Sequence, residues 1–331
     1  MTSQVQHPAH LRVDPRTPEP EVIAAACHAL GAGGLIILPT DTVYGLAADP
    51  RIVGTLERIY AAKGREHGKP VPILAADIGD VISAGATFDP LAHQLAKSFW
   101  PGPLTIVLPQ GGSTEGYRVP SHPVTQAVLR AAGGLLRVTS ANLSGEPEAV
   151  TAAEAIATVG HHCALVLDAG LAAGGVPSTV IRVTGDRFEI IRAGAISEAA
   201  LKEAAGHPGK SNPHHHILFV CTGNTCRSPM AEYLFRKWAG KDSKWHVISA
   251  GTTAVPGLPA SRTAISVLRK LDVDLTPHHS RVLRRELIDH ADVIVVMAES
   301  HRQRVLELQP GARERVFLFS SFGPGAGETD V

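Results

Sequence analysis

The chain has little cysteine, no long hydrophobic run and no excess of charge of either sign. Four cysteines in 331 residues, two of them in one short loop, argue against a disulfide framework and for a reducing, cytoplasmic setting. No stretch reaches the ~18 to 20 apolar residues of a membrane span, so no membrane association is expected. Residues 1–20 are polar and proline-containing. They lack the apolar core of a secretory signal and read as a flexible leader. Lys plus Arg and Asp plus Glu each total 31. Residues 1–210 carry 16 basic against 19 acidic side chains, and residues 211–331 carry 15 against 12. Neither part has the basic excess of a dedicated nucleic-acid binder. Internal repeats and long low-complexity tracts are missing too. So is a Walker-type glycine–lysine loop, and any nucleotide must be held in another way.

The length allows two domains. Helix and strand patterns alternate from Glu21 to about Ala205. Strands are expected at 35–38, 71–75, 104–108, 135–139, 165–167, 179–183 and 188–191, and helices at 21–30, 53–63, 90–99, 123–132, 152–159 and 197–205. This is an α/β pattern around a largely buried sheet. Residues 206–215 are rich in chain breakers and read as a linker. The histidines at 214–216 read as that linker meeting a strand rather than as a metal cluster. From 216 to 331 the alternation restarts. Strands at 217–220, 246–249, 292–297 and 315–319 lie between helices near 229–239, 261–271, 282–290 and 299–308, the pattern of a small doubly wound parallel sheet.

The most informative stretch is Cys221-Thr222-Gly223-Asn224-Thr225-Cys226-Arg227-Ser228, set between an apolar strand and a helix. Backbone N–H groups at a helix start bind anions and favour the thiolate form of a neighbouring cysteine. An arginine grips two phosphate oxygens in a bidentate fork. The loop therefore reads as a cysteine nucleophile, Cys221, aimed at a phosphate monoester, with Arg227 on its oxygens.

In residues 21–205, short polar or glycine-rich stretches sit beside predicted strand ends, where ligands gather in open α/β sheets. They are PTDTVYGL (39–46), KGR (63–65), WPGPLT (100–105), RVPSHP (118–123), TSANLSG (139–145), PSTV (177–180) and Arg192-Ala193-Gly194. Lys63 and Arg65 suit phosphate oxygens. Ser140, Asn142 and Ser178 suit a small polar substrate. Singly, each stretch is as well explained by a turn or a cap.

Taken together and in this order, they resemble the YrdC-like threonylcarbamoyl-AMP synthase family. The resemblance implies an open, twisted sheet domain with a concave electropositive site, placed at 21–205. It implies the conversion of L-threonine, bicarbonate and ATP to threonylcarbamoyl-AMP and pyrophosphate, for threonylcarbamoyladenosine modification of tRNA. Carried over by position, Thr40, Arg118 and Ser178 meet threonine. Lys63 and Arg65 hold the ATP phosphates with Ser140, Asn142 and Arg192. Mg²⁺ shares the neutralisation, with no metal ligands expected from the protein alone. The tRNA-modification machinery, and with it tRNA, is an implied partner. One departure is Arg137, on a strand where the family has small or apolar residues; it must find a partner or line the site.

The loop at 221–228, with Ser249–Thr252, His279–Arg281 and Ala291–Met297, resembles low-molecular-weight protein tyrosine phosphatases. By that resemblance Cys221 forms a cysteinyl-phosphate, and Arg227 and the amides of the loop stabilise the charged oxygens. Asn224 shapes the loop, Ser228 hydrogen-bonds the thiolate and Cys226 is a neighbouring protective thiol. Thr222 follows the nucleophile, as in bacterial members that include protein-arginine phosphatases. The implied substrate is a phosphoprotein. The chain stops at Asp330-Val331 without the family's Asp-Pro general acid. The expectation is therefore a domain incomplete at its C-terminus that binds phosphate but turns over weakly, or else a chain whose full form is active. Arsenate reduction is disfavoured, because no cysteine follows Cys226. The alternative to a fused enzyme is an RNA-associated regulatory protein with a phosphate-sensing domain.

Overall fold

The computed structural model describes residues 8–172, 174–206, 215–240 and 243–322. The chain divides into two compact units, one made of residues 1–81 and 85–210 and the other mainly of residues 211–331. Most of the expected linker and leader residues 1–7 lie outside the described residues, as do His214 and the segment 323–331 with Asp330.

The first unit runs β1 (Ala9–Arg12), α1 (Pro20–Gly31), β2 (Leu35–Leu38), β3 (Gly45–Ala48), α2 (Thr55–Lys63), β4 (Ile73–Ala75), α3 (Ile78–Ser83), α4 (Pro90–Phe99), β5 (Leu104–Gln110) and β6 (Ser113–Arg118). It continues with α5 (Pro123–Ala131), β7 (Leu135–Ser140), α6 (Ala152–Val159), β8 (Cys163–Asp168), β9 (Thr179–Thr184), β10 (Arg187–Arg192) and α7 (Glu198–Gly206). All ten strands form one sheet in the order β1-β8-β2-β3-β7-β4-β6-β5-β9-β10. Its pairing is mixed. β8 is parallel to β1 and β2, whereas β7 is antiparallel to β3 and β4.

Strand β2 explains how this sheet is covered. Its four residues are all apolar and buried, and alternate side chains point to opposite faces. Ile36 and Leu38 join Ile23, Leu30, Val124 and Val128 of α1 and α5 in one core. Leu35 and Ile37 join Ile59, Ala155 and Val159 of α2 and α6 in the other. Helix α6 starts at a capping box, Thr151 with Glu154, which satisfies two backbone donors reciprocally.

Two differences from the sequence reading stand out. Within the expected leader, Ala9–Arg12 is an edge strand in register with Leu165–Asp168, and Val13 is buried. Its tetrapeptide is too short to show a period, and what orders it is the otherwise unpaired backbone edge of β8. Strand β6 is polar and was not expected. It pairs antiparallel with β5 across Gly111-Gly112, both at positive φ, the backbone a tight two-residue hairpin requires.

The second unit runs β11 (His215–Cys221), α8 (Arg227–Ala239), β12 (Trp245–Gly251), α9 (Arg262–Arg269), α10 (Arg285–His290), β13 (Val293–Val296), α11 (Glu299–Leu308) and β14 (Val316–Leu318). The strand order is β12-β11-β13-β14, and every pair is parallel. The chain goes from β11 to one side and returns to β13 on the other. The loop after β11 thus sits at the switch point where ligands of such sheets bind.

Candidate functional site

In the first unit a cavity of about 480 Å³ opens on the sheet. Strand ends bring Thr40, Arg118, Ser140, Ser178 and Arg192 to its wall, together with Arg65 from the segment after α2. Among the described residues the lining includes four arginines and no carboxylate, a field suited to an anionic ligand.

Most of these side chains are held by hydrogen bonds. Arg118 is nearly buried. It donates to Asp41 Oδ1 at 2.6 Å, to Thr42 Oγ1 at 3.0 Å and to Gly102 O at 3.1 Å. Thr40 closes its own turn, donating to Val43 O at 2.6 Å and accepting from the Thr42 and Val43 amides. Ser178 Oγ lies 2.9 Å from Thr105 Oγ1 and accepts from Arg192 Nη2 at 3.0 Å. Arg192 also donates to Ser178 O. Gly194 packs so tightly against this segment that a Cβ would lie 2.4 Å from Pro177 O.

Lys63 and Asn142 stand behind the wall and do not line the cavity. Lys63 is 2 % exposed. Its Nζ donates to Ser140 O (2.5 Å), Asn142 O (2.6 Å) and Asn142 Oδ1 (3.0 Å). All three ammonium donors therefore bind the loop that carries Ser140, rather than pointing at a ligand. Burial, and secondly the Arg65 charge, push its pKa down to about 8, with Glu148 opposing. Arg65 donates to Pro70 O at 2.9 Å and reaches the cavity.

Arg137 finds a partner and does not line the cavity. It donates to Glu115 Oε2 at 2.7 Å and to Val71 O at 2.6 Å. Sequence reasoning missed Asp41, Thr42 and Thr105, which hold the lining residues in place. Asp41 and Thr42 lie inside PTDTVYGL and Thr105 inside WPGPLT, so the signal was present, but nothing in one dimension pairs position 41 with 118.

In the second unit Cys221 is buried and its Sγ lies 3.0 Å from Ser228 Oγ. Asn224, fully buried at φ +53°, donates to Ser228 Oγ at 3.0 Å and to Ser249 Oγ at 2.8 Å. Its own Oδ1 accepts from the Arg281 amide at 2.8 Å. Ser228 Oγ accepts from Asn224, and its hydrogen has Cys221 Sγ at 3.0 Å and the more distant Ala250 O at 3.5 Å as acceptors. Ser249 in turn donates to the buried Glu232 at 2.5 Å, and Glu232 pairs with Arg236 at 2.6 Å. His278 Nε2 donates to Asn224 O at 2.7 Å, and burial lowers the pKa of that imidazole. Thr222 Oγ1 and His301 Nε2 are 2.9 Å apart. Cys226 is exposed, and Arg227 opens α8 at the far end of the loop. The structure thus brings Cys221, Asn224 and Ser228 into one network that shapes the loop from Thr222 through Gly223 to Thr225.

Arginines and hydroxyls around one cavity on a mixed sheet define the first unit as an α/β protein with an electropositive site suited to an anionic ligand. The chain belongs to the Sua5/YciO/YrdC family, whose model, described as "Telomere recombination", matches residues 28–194. The model of the low molecular weight phosphotyrosine protein phosphatases matches residues 216–331. A putative threonylcarbamoyl-AMP synthase of Mycobacterium tuberculosis is 34% identical over 194 residues, which are 56% of this chain and 89% of that protein. Among solved structures, E. coli YciO superposes with a TM-score of 0.54 at 26% identity, over 59% of this chain and 99% of its own. Pyrococcus abyssi Sua5, solved with L-threonine bound, gives 0.56 at 23% identity, over 93% of this chain and 99% of its own, a likeness of fold.

Proposed function

We infer that this chain is an L-threonylcarbamoyladenylate synthase followed by a cysteine-dependent phosphatase-type unit. The observation that carries the first part is the convergence of Thr40, Arg118 and Ser178 with Arg65, Ser140 and Arg192 on one cavity. A zwitterionic amino acid fits the first group, with its carboxylate on Arg118 and its hydroxyl and ammonium near Thr40 and Ser178. Nucleotide phosphates fit the second. An oxygen of carboxylated threonine bonds to the α-phosphorus of ATP, and the bond to the bridging oxygen of pyrophosphate breaks. Positioning and charge neutralisation carry such a transfer. Lys63 contributes indirectly by fixing the Ser140–Asn142 loop.

Among the described residues the cavity wall offers arginines and hydroxyls but no carboxylate. Mg²⁺ therefore fits here as an ion carried on the triphosphate oxygens, where it would neutralise charge. The product would feed tRNA threonylcarbamoyladenosine modification in the cytoplasm. Among the described residues no helix is long and apolar enough to cross a membrane. The regulatory alternative is not favoured, because the residues it would be free to lose are present and held in place.

The test is pyrophosphate release from ATP with L-threonine and bicarbonate each omitted in turn. Release that needs both is expected. Release that ignores threonine would overturn the reading. For the second unit, Cys221 Sγ attacks phosphorus in a phosphoprotein, the bond from phosphorus to the protein side chain breaks with that side chain taking a proton from solvent, and water then cleaves the S–P bond to release inorganic phosphate; Arg227 and the amides of the loop hold the oxygens, and Ser228 supports the thiolate. Hydrolysis of p-nitrophenyl phosphate is its assay.

A further inference from the structure

A second cavity in the first unit, of about 430 Å³, belongs to neither site. It lies where β2 and β8 begin, at Leu35 and Cys163, whereas the substrate cavity takes residues beyond the other end of β2. Gly33 and Gly34, Arg58 and Ala61 of α2, and His161 and His162 form its wall.

The chemistry of that wall is one-sided. One guanidinium and two imidazoles line the cavity, and no carboxylate does so among the described residues. Arg58 Nη1 donates to Gly33 O, which fixes the guanidinium while leaving further N–H groups of the fork to spare. The two imidazole rings stand 4.0 Å apart between centroids. Among the described residues, neither ring has a hydrogen-bond or ion-pair partner on the protein. Partial burial, and secondly the neighbouring His161, lower the pKa of His162, as expected for a cation lacking its counter-charge.

We propose that this cavity is a separate binding site for a phosphate-class anion, inorganic phosphate or pyrophosphate, gripped by Arg58 with His161 and His162. Arg58, His161 and His162 line the same recess, and a forked donor with two ring N–H groups matches the several acceptor oxygens of a phosphate. The site does not depend on the synthase reading. Helix α2 nevertheless carries both Arg58 and Lys63, so an occupant would rest on the helix that fixes the Ser140–Asn142 loop.

The experiment uses the full chain with isotope-labelled histidine, followed by NMR, because the substrate cavity and the Cys221 loop also attract phosphate. The His161 and His162 ring signals are assigned by their loss in His161→Gln and His162→Gln. Orthophosphate and pyrophosphate are titrated in separate arms against chloride of equal ionic strength. Both ring signals should move saturably with one midpoint, and the tighter arm identifies the anion. Arg58→Gln should weaken that midpoint by about tenfold or more, the worth of one charge-assisted hydrogen bond, with pyrophosphate release from ATP unchanged. Ala61→Glu, at an exposed position on the same wall, should abolish the shift and serves if Arg58→Gln does not fold. Signals that stay still, that move equally in chloride, or that keep their midpoint in a folded Arg58→Gln or Ala61→Glu protein would overturn the proposal.

Discussion

Replacing Lys63 by methionine tests whether this lysine builds the site or merely fills space. Methionine keeps most of the apolar stem and removes three donors, those to Ser140 O, Asn142 O and Asn142 Oδ1. Each buried acceptor left unmade costs about 1–3 kcal/mol, so roughly 6 kcal/mol is at stake. Against that, the native ammonium carries a burial cost. Its pKa falls from 10.5 to about 8, which corresponds to about 3 kcal/mol that the variant recovers. The net destabilisation is then about 3 kcal/mol, within what a folded domain tolerates. Catalysis should suffer far more. The loop carrying Ser140 loses its anchor, and a shift of about 1 Å in a positioning element costs about 100-fold.

The pH dependence gives a second readout of opposite sign. A lysine whose folded pKa lies below its unfolded value bears its full burial cost below about pH 8, and sheds it as pH rises towards 10.5. The wild type should therefore gain stability over Lys63→Met across that window. Synthase turnover should fall over the same window, since a neutral amine has only two N–H groups for three acceptors. Pyrophosphate release and urea unfolding, each followed from neutral pH to about pH 10, measure the two. Turnover that stays level through that range, or a Lys63→Met protein as active as the wild type, would refute the reasoning.

Asp41→Asn removes one partner of the 2.6 Å pair with Arg118, whose two side chains are 12% and 6% exposed. A loss of about 3–5 kcal/mol in stability is expected, with a raised KM for threonine; unchanged values of both would exclude the pair as the support of Arg118. Gly194→Ala forces a Cβ to within 2.4 Å of Pro177 O and should lower Tm by several degrees. The control Gly206→Ala, where nothing lies within 4 Å, should leave Tm in place. Cys221→Ser should end p-nitrophenyl phosphate hydrolysis while pyrophosphate release continues, and loss of both activities together would refute the independence of the two reactions.

The sequence by itself determined the elements whose signal is local. The all-apolar run Leu35–Leu38, set off by Gly33-Gly34, reads as a strand buried on both faces, and the cores on its two sides bear this out. The Cys221–Ser228 loop was legible because strand, loop and helix start are contiguous in the chain. Gly111-Gly112 was equally local and could have announced the β5–β6 hairpin, had the polar strand after it been weighed by its turn rather than by its hydrophobicity. Tertiary structure alone decided what depends on pairing across distance. Ala9–Arg12 became a strand because β8 offered it an edge. Arg137 was satisfied by Glu115, a residue from another strand. Lys63 read as a phosphate-binding cation from its neighbours in the chain, and the fold turned it inward to three oxygens near residue 140. A linear pattern specifies which groups are available. Which of them meet is set by packing, because a buried donor goes to whichever acceptor the fold brings within about 3 Å and shields from water.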